Sequence, residues 1–167
     1  GLDKPVTTQY VIYLGNLGRG DLGISFTQEN REVNDIIRDH FPVSAILGIL
    51  AVIFAAAGGV LWGALTAIYR NRWPDYVIMF LVILGISVPS FVVAAISQLL
   101  LVNVNDLFGT TVLPVAGWGT VLHMLVPAMV LGLGTMAYLT RLMRSSMLEI
   151  VSSDFVRTAK AKGVPPA

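Results

Sequence analysis

Chemistry-bearing side chains cluster at regular spacing in one stretch of this 167-residue chain, "SSDFVRTAKAKGVPPA", residues 152–167. Ser152 or Ser153 offers a hydroxyl able to cap a new helix, and Asp154 suits the positive end of its dipole. Lys160 and Lys162 fall at the negative end, where cations are favoured. Gly163 is a typical terminator, and Pro165 and Pro166 bar continuation. Phe155, Val156 and Ala159 share one face of this short helix. The chemistry on offer is recognition: an apolar face among cations fits a protein groove, or lies on anionic lipid. The small residues Thr158, Ala159 and Ala161 suit close protein contact.

No GxxxxGK[ST] phosphate loop, HExxH pair, paired-cysteine site or GxSxG elbow occurs in the sequence. Cysteine is absent, which removes disulfides and thiolate metal sites, and the two histidines, His40 and His123, lie far apart. His123 opens an apolar stretch and reads as an interfacial polar group rather than a ligand or proton carrier. Asp106 reads as a solvated loop or cap residue. We expect no catalytic residue, no metal, no cofactor bound by this chain and no nucleic-acid partner.

The elements that must position the basic stretch follow from composition. Hydrophobic residues make up 55% and charged residues 13%, about half the charge of an average soluble domain. Three stretches contain no Asp, Glu, Lys or Arg: 41–69, 76–105 and 107–140. A helix needs about 20 apolar residues to cross the hydrocarbon core, so the sequence predicts an all-α membrane helix bundle with spans at 43–69, 76–102 and 121–142. Residues 1–42 are expected to form an extracytoplasmic segment before the first span, 43–167 a partial membrane domain, and 143–167 its cytoplasmic segment. Arg70 and Arg72 join the first two spans. The connection 103–119 has no Lys or Arg, and Arg141, Arg144, Arg157, Lys160 and Lys162 follow the third. Short basic connections stay in the cytoplasm, which places residue 1 outside and residue 167 inside. Tyr69, Trp73 and Trp118 fit interfacial anchors. The chain opens on Gly1 with no signal-peptide pattern, and we expect a piece of a longer polypeptide.

Two stripes mark the spans. Ala55, Gly59, Gly63 and Ala67 recur every four residues and predict a seam for close helix packing. In the second span Ser87, Ser90, Ala94, Ser97 and Gln98 form a small, polar stripe, and Pro89 predicts a kink. That stripe either joins helices through serines or lines a polar passage. No acid or base stands at mid-depth, so any energy for uphill transport is expected to enter from outside the membrane.

"RTAKAKG", residues 157–163, resembles the cytoplasmic coupling loop of permease subunits of binding-protein-dependent ABC importers, whose signature is EAA, three residues, then Gly. Arg157 stands at the Glu, Thr158 and Ala159 at the alanines, and Gly163 at the glycine. Only Ala159 and Gly163 match that general form. The departures resemble the oligopeptide/dipeptide (peptide/nickel) permease branch, B-type subunit, as do "GLDKP", "YLGNLGRGDLGISF", "SVPSF" and "TRLMRSSMLEI" in the same order. The signature's downstream Ile-x-Leu-Pro half is missing.

The resemblance implies the middle of a six-span bacterial plasma-membrane subunit that pairs with a second permease subunit. Two cytoplasmic ATPase subunits, holding ATP and Mg, would drive it, and an external substrate-binding protein would deliver peptide, nickel or haem. Phe155, Val156 and Ala159 would seat the short helix in an ATPase groove, with Thr158 in close contact. Arg157, Lys160 and Lys162 would orient it, Gly163 would turn the chain back, and Ala159→Asp would uncouple hydrolysis from uptake without affecting insertion. Ser87, Ser90, Ser97 and Gln98 would line the route. The competing class is a non-transporting membrane scaffold or passive channel with a basic, lipid-binding tail.

Overall fold

The computed structural model describes residues 4–163. Pro165 and Pro166 lie outside them, as do the side chains of Ala159 and Lys160. The order is α1 (Val6–Leu17), α2 (Val33–Ile68), α3 (Trp73–Ser87), α4 (Ser90–Phe108), α5 (Val121–Ser152) and α6 (Asp154–Ala161). Among the described residues the β-structure is one isolated antiparallel bridge, Ile24 to Glu32. The fold is therefore all-α, as the composition predicts. Three helices, α2, α4 and α5, are long and apolar enough to cross a membrane.

Residues 1–46 form one compact unit. Pro5 precedes α1, and its carbonyl accepts from the N–H groups of Thr8 and Gln9. The "GNLGRGDLGIS" loop is tied by Asn34, whose side chain accepts from Leu22 N–H at 3.1 Å and donates to the Gly20 carbonyl. Asp21 accepts from Gly23 N–H at 2.8 Å, and Arg31 pairs with Asp39. The segment expected only to precede a span thus has its own local structure.

Residues 47–167 form the second unit. Here α5 packs parallel to α2: Ala51 faces Gly132, Gly59 faces Leu139, and Gly63 faces Met143. It runs antiparallel to α3 and α4. Asp75 meets Arg144, Gly85 approaches Ala137, and Gln98 and Leu101 share a cavity wall with Val126 and Val130. Thus α3 and α4 climb along α5 in one direction.

Three boundaries differ from the sequence reading. First, α2 begins at Val33, not 43, and carries Pro42 inside. Charge-free length bounds the apolar part of a helix and not its hydrogen bonding, and Asp35 in the first turn suits the helix dipole. Second, α3 starts at Trp73, with Pro74 in the opening turn where its missing N–H does no harm. Third, the expected kink at Pro89 is a full break. Val88 is extended (φ −86°, ψ 125°), as residues before proline favour, and Pro89 (φ −58°, ψ 137°) precedes α4. The polar stripe therefore lies on two helices, with Ser87 ending one and Ser90 opening the next.

The small-residue seam forms in α2. Ala55, Gly59 and Gly63 are buried, while Ala67 is half-buried and Thr66 takes the last buried place at 0% exposure. A row at every fourth position drifts by about 40° per step on a 3.6-residue helix, so the seam crosses to Thr66. A Cβ on Gly59 would stand 2.5 Å from Leu139 Cβ, and one on Gly63 2.5 Å from Met143 Cβ. Only glycine admits α5 this closely. The buried hydroxyls bond back into their own helices, Thr66 to the Gly63 carbonyl and Thr140 to the Met136 carbonyl, each at 2.8 Å. That leaves no unmet donor in an apolar medium.

Candidate functional site

The site begins with the length of α5. This helix is unbroken for 32 residues and carries "RLMRSSMLEI" beyond its apolar part. Ser153 alone is non-helical between it and α6 (φ −69°, ψ 154°), so the chain turns an elbow there. The expected side-chain cap on α6 does not form. Ser152 Oγ donates to the Glu149 carbonyl at 2.9 Å and Ser153 Oγ to the Ile150 carbonyl at 2.5 Å. Both serines satisfy the orphan carbonyls ending α5 instead. The first i to i−4 bond of α6 is from Arg157 N–H to the Ser153 carbonyl at 3.2 Å.

On α6 itself Phe155 is 66% exposed, and Val156 is half-buried. Arg157, Thr158, Lys162 and Gly163 are exposed. Thr158 Oγ1 donates to the Asp154 carbonyl at 2.9 Å, and Arg157 approaches Asp154 at 3.9 Å in an exposed pair of little energetic weight. Gly163 adopts φ +81°, the left-handed geometry that ends helices and favours glycine. Ile150 and Val151, at the end of α5, are also more than half exposed. Apolar side chains are thus exposed on both sides of the elbow. The sequence reading missed Ile150 and Val151 because it treated residues 143–151 only as a continuation of the helix.

The candidate pathway residues separate. Ser97 lies on a cavity of about 630 Å³ bordered by α3, α4, α5 and Trp62, and its hydroxyl donates to the Val93 carbonyl at 2.7 Å. The remaining wall is almost wholly apolar, with Ile78, Val82, Leu100 and Leu133 among its members. Gln98 faces a different cavity, of about 400 Å³, with His123 and the Pro114–Gly117 loop. Ser87 and Ser90 are exposed and border neither. His123 bonds Thr120 Oγ1 at 2.6 Å, a local bond at the start of α5. Asp106 lies within the last turn of α4 and is exposed, not in a loop. Among the described residues no group of His, Cys, Asp and Glu could hold a metal ion.

The sequence reading also missed the pair that ties the base of this site. Asp75, in the first turn of α3, is 2% exposed. Arg144 Nε donates to its Oδ1 at 2.9 Å and Nη2 to its Oδ2 at 2.7 Å, a two-pronged charge-assisted contact. Asn71 N–H adds a third donor at 3.0 Å, from a residue held at φ +60° in the α2–α3 turn. Only one signal was available in the sequence: an acid opening one antiparallel helix and a base just past the apolar part of another fall at the same end.

Comparison with known proteins now adds to this geometry. Residues 59–167 match the family described as "Binding-protein-dependent transport system inner membrane component". The chain is 40% identical over 166 residues to the dipeptide transport system permease protein DppB of Bacillus subtilis (strain 168), covering 99% of the chain and 52% of that protein. It is 42% identical to the oligopeptide transport system permease protein OppB of Haemophilus influenzae, over 98% of the chain and 52% of the relative. The corresponding Escherichia coli (strain K12) protein is 39% identical, over 98% and 53%. The chain thus spans about half the length of the curated relatives it matches. A match that runs from the glycine seam of α2 through α6, on an all-α, multi-pass membrane bundle, places this chain in the family of inner membrane components of binding-protein-dependent transport systems, among the oligopeptide and dipeptide permeases.

Proposed function

We propose that this chain is part of a permease subunit of an ATP-driven importer for peptides, and that α6 is the foot through which separate ATPase subunits move it. The observation that carries the reading is the elbow. An exposed amphipathic helix with Phe155 uncovered stands at the end of an unbroken 32-residue helix, and relatives named as dipeptide and oligopeptide permeases align across it. The basic residues Arg70, Arg72, Arg141 and Arg144 support a cytoplasmic position for this end. Residues 4–32 then face outward, toward an external binding protein. A second permease subunit completes the passage. ATP and Mg belong to the ATPase subunits, and this chain binds no cofactor of its own.

In this mechanism Phe155, with Ile150 and Val151 beside it, enters a groove on the ATPase, and Val156 and Ala159 pack at its margin. Arg157, Lys160 and Lys162 orient the foot by charge, and Gly163 turns the chain away. When the ATPases close, α6 moves and α5 carries the displacement into the bundle, a rigid-element transition between two states. Ser97 and Gln98 border separate cavities beside α5, and on this reading they meet the route in different states.

Co-purification tests the reading. The full-length permease bearing Phe155→Asp, solubilised in mild detergent, should reach the membrane in normal amount and lose its ATPase subunits. Retention of those subunits at wild-type stoichiometry, with normal uptake, would remove the docking role. A variant that instead loses affinity for anionic vesicles would favour the lipid-bound scaffold.

A further inference from the structure

The contact between Asp75 and Arg144 is more specific than packing requires. Asp75 is the buried carboxylate among the described residues, and each of its oxygens takes its own N–H from a single guanidinium. Buried ion pairs are weak stabilisers compared with apolar pairs of similar volume, because both charges lose hydration. A two-pronged fork does something an apolar pair does not: it fixes register and angle together. Its two halves stand at informative places. Arg144 lies on α5 between the apolar part of that helix and the elbow at Ser153, with no break in the helix on either side. Asp75 lies in the first turn of α3, and α3 ends at the extended pair Val88–Pro89, after which α4 begins.

We infer that Asp75 and Arg144 are positioning residues that make α3 and α5 one moving body, so that displacement of α6 is delivered to Val88–Pro89 and opens or closes the angle between α3 and α4. This rests on the reading of α6 as the docked foot. A neighbouring face of α5, about 100° round the helix, meets α2 through Ala51, Gly59 and Gly63 set against Gly132, Leu139 and Met143, contacts that carry no directional bond to resist sliding. Motion of α5 therefore carries α3 along and shears against α2. The cavity of about 630 Å³, bordered by both α3 and α4, changes shape as that angle changes.

The test uses the full-length permease in its assembled transporter, reconstituted in vesicles, with substrate uptake and ATP hydrolysis measured together. Asp75→Asn and Arg144→Lys should retain bound ATPase subunits and lower substrate moved per ATP by about fivefold or more, the range of ordinary coupling between sites. A purely structural clamp would lower abundance, or uptake and hydrolysis in parallel, leaving that ratio unchanged. An unchanged ratio in Arg144→Lys, which keeps the charge and loses the fork, would overturn the inference while the docking reading stands. A second measurement avoids these substitutions. Nitroxide pairs are introduced at Val77 with Leu142 and at Val77 with Leu99, all exposed and outside the proposed docking surface, in a transporter whose other cysteines have been replaced. The first distance should be the same in nucleotide-free and ATP-trapped complexes, and the second should change. A shift in the first would show that α3 and α5 move apart and would end the proposal. Absence of ATPase subunits from the unsubstituted complex would defeat the docking reading instead.

Discussion

Helix α5 is held on two sides by opposite means. Against α2 the contact is made of missing atoms: Gly59 and Gly63 let Leu139 and Met143 approach to where a Cβ would otherwise stand. Against α3 the contact ends in a charged fork, Arg144 on Asp75. The first depends on shape, the close packing of small residues that joins many helices in lipid. The second depends on direction. A bundle that must move needs both, one surface that can shear and one that cannot.

The largest effect should come from breaking the directional side. Asp75→Ala leaves Arg144 unpaired in a part-buried place, and loss of one partner of such a pair costs about 3 kcal/mol or more. It should appear as a large fall in melting temperature in detergent. Replacing both residues together, Asp75→Leu with Arg144→Met, sharpens the comparison: stability should return close to wild type while transport per ATP remains low. Recovery of both would show that the fork has no role beyond stability.

Gly63→Ala attacks the other side. The added methyl would meet Met143 Cβ at 2.5 Å and the Thr140 carbonyl at 2.7 Å, so helix separation should cost about 1–3 kcal/mol. The ratio of uptake to hydrolysis should fall less than in Asp75→Asn. Pro89→Ala restores a backbone donor at the break and allows α3 and α4 to run together. Stability should change by about 1 kcal/mol or less, with slower uptake at unchanged ATPase binding. The smallest stability effect belongs to Arg157→Ala, because its partner Asp154 lies 3.9 Å away with both side chains in solvent. Melting should be unchanged, and only affinity for the ATPase should fall.

Much of the bundle was legible in the sequence, and the reasons are local. Charge-free stretches locate the apolar parts of α2, α4 and α5, and spacing by four identifies Ala55, Gly59 and Gly63 as a packing seam. The basic stretch with Gly163 marks a short helix after the long α5. What stayed hidden was either non-local or a matter of degree. Asp75 and Arg144 are 69 positions apart, and each alone looks like an ordinary charge at a helix edge. Pro89 predicts disruption, but whether the helix kinks or breaks depends on the ψ of both Val88 and Pro89, which are extended here at 125° and 137°. Ser152 and Ser153 had two sets of orphan groups within reach, and the carbonyls closing α5 won over the N–H groups opening α6. The polar stripe is not one continuous helix face, since Ser87 and Ser90 fall on either side of the break.

Coupling requires that α6 touch an ATPase subunit in the assembled transporter. A photo-crosslinking amino acid at Phe155, introduced into the full-length permease and irradiated in native membranes, reads this directly. The predicted result is a covalent adduct with an ATPase subunit, stronger in the ATP-trapped state. Adducts formed with phospholipid alone would contradict it.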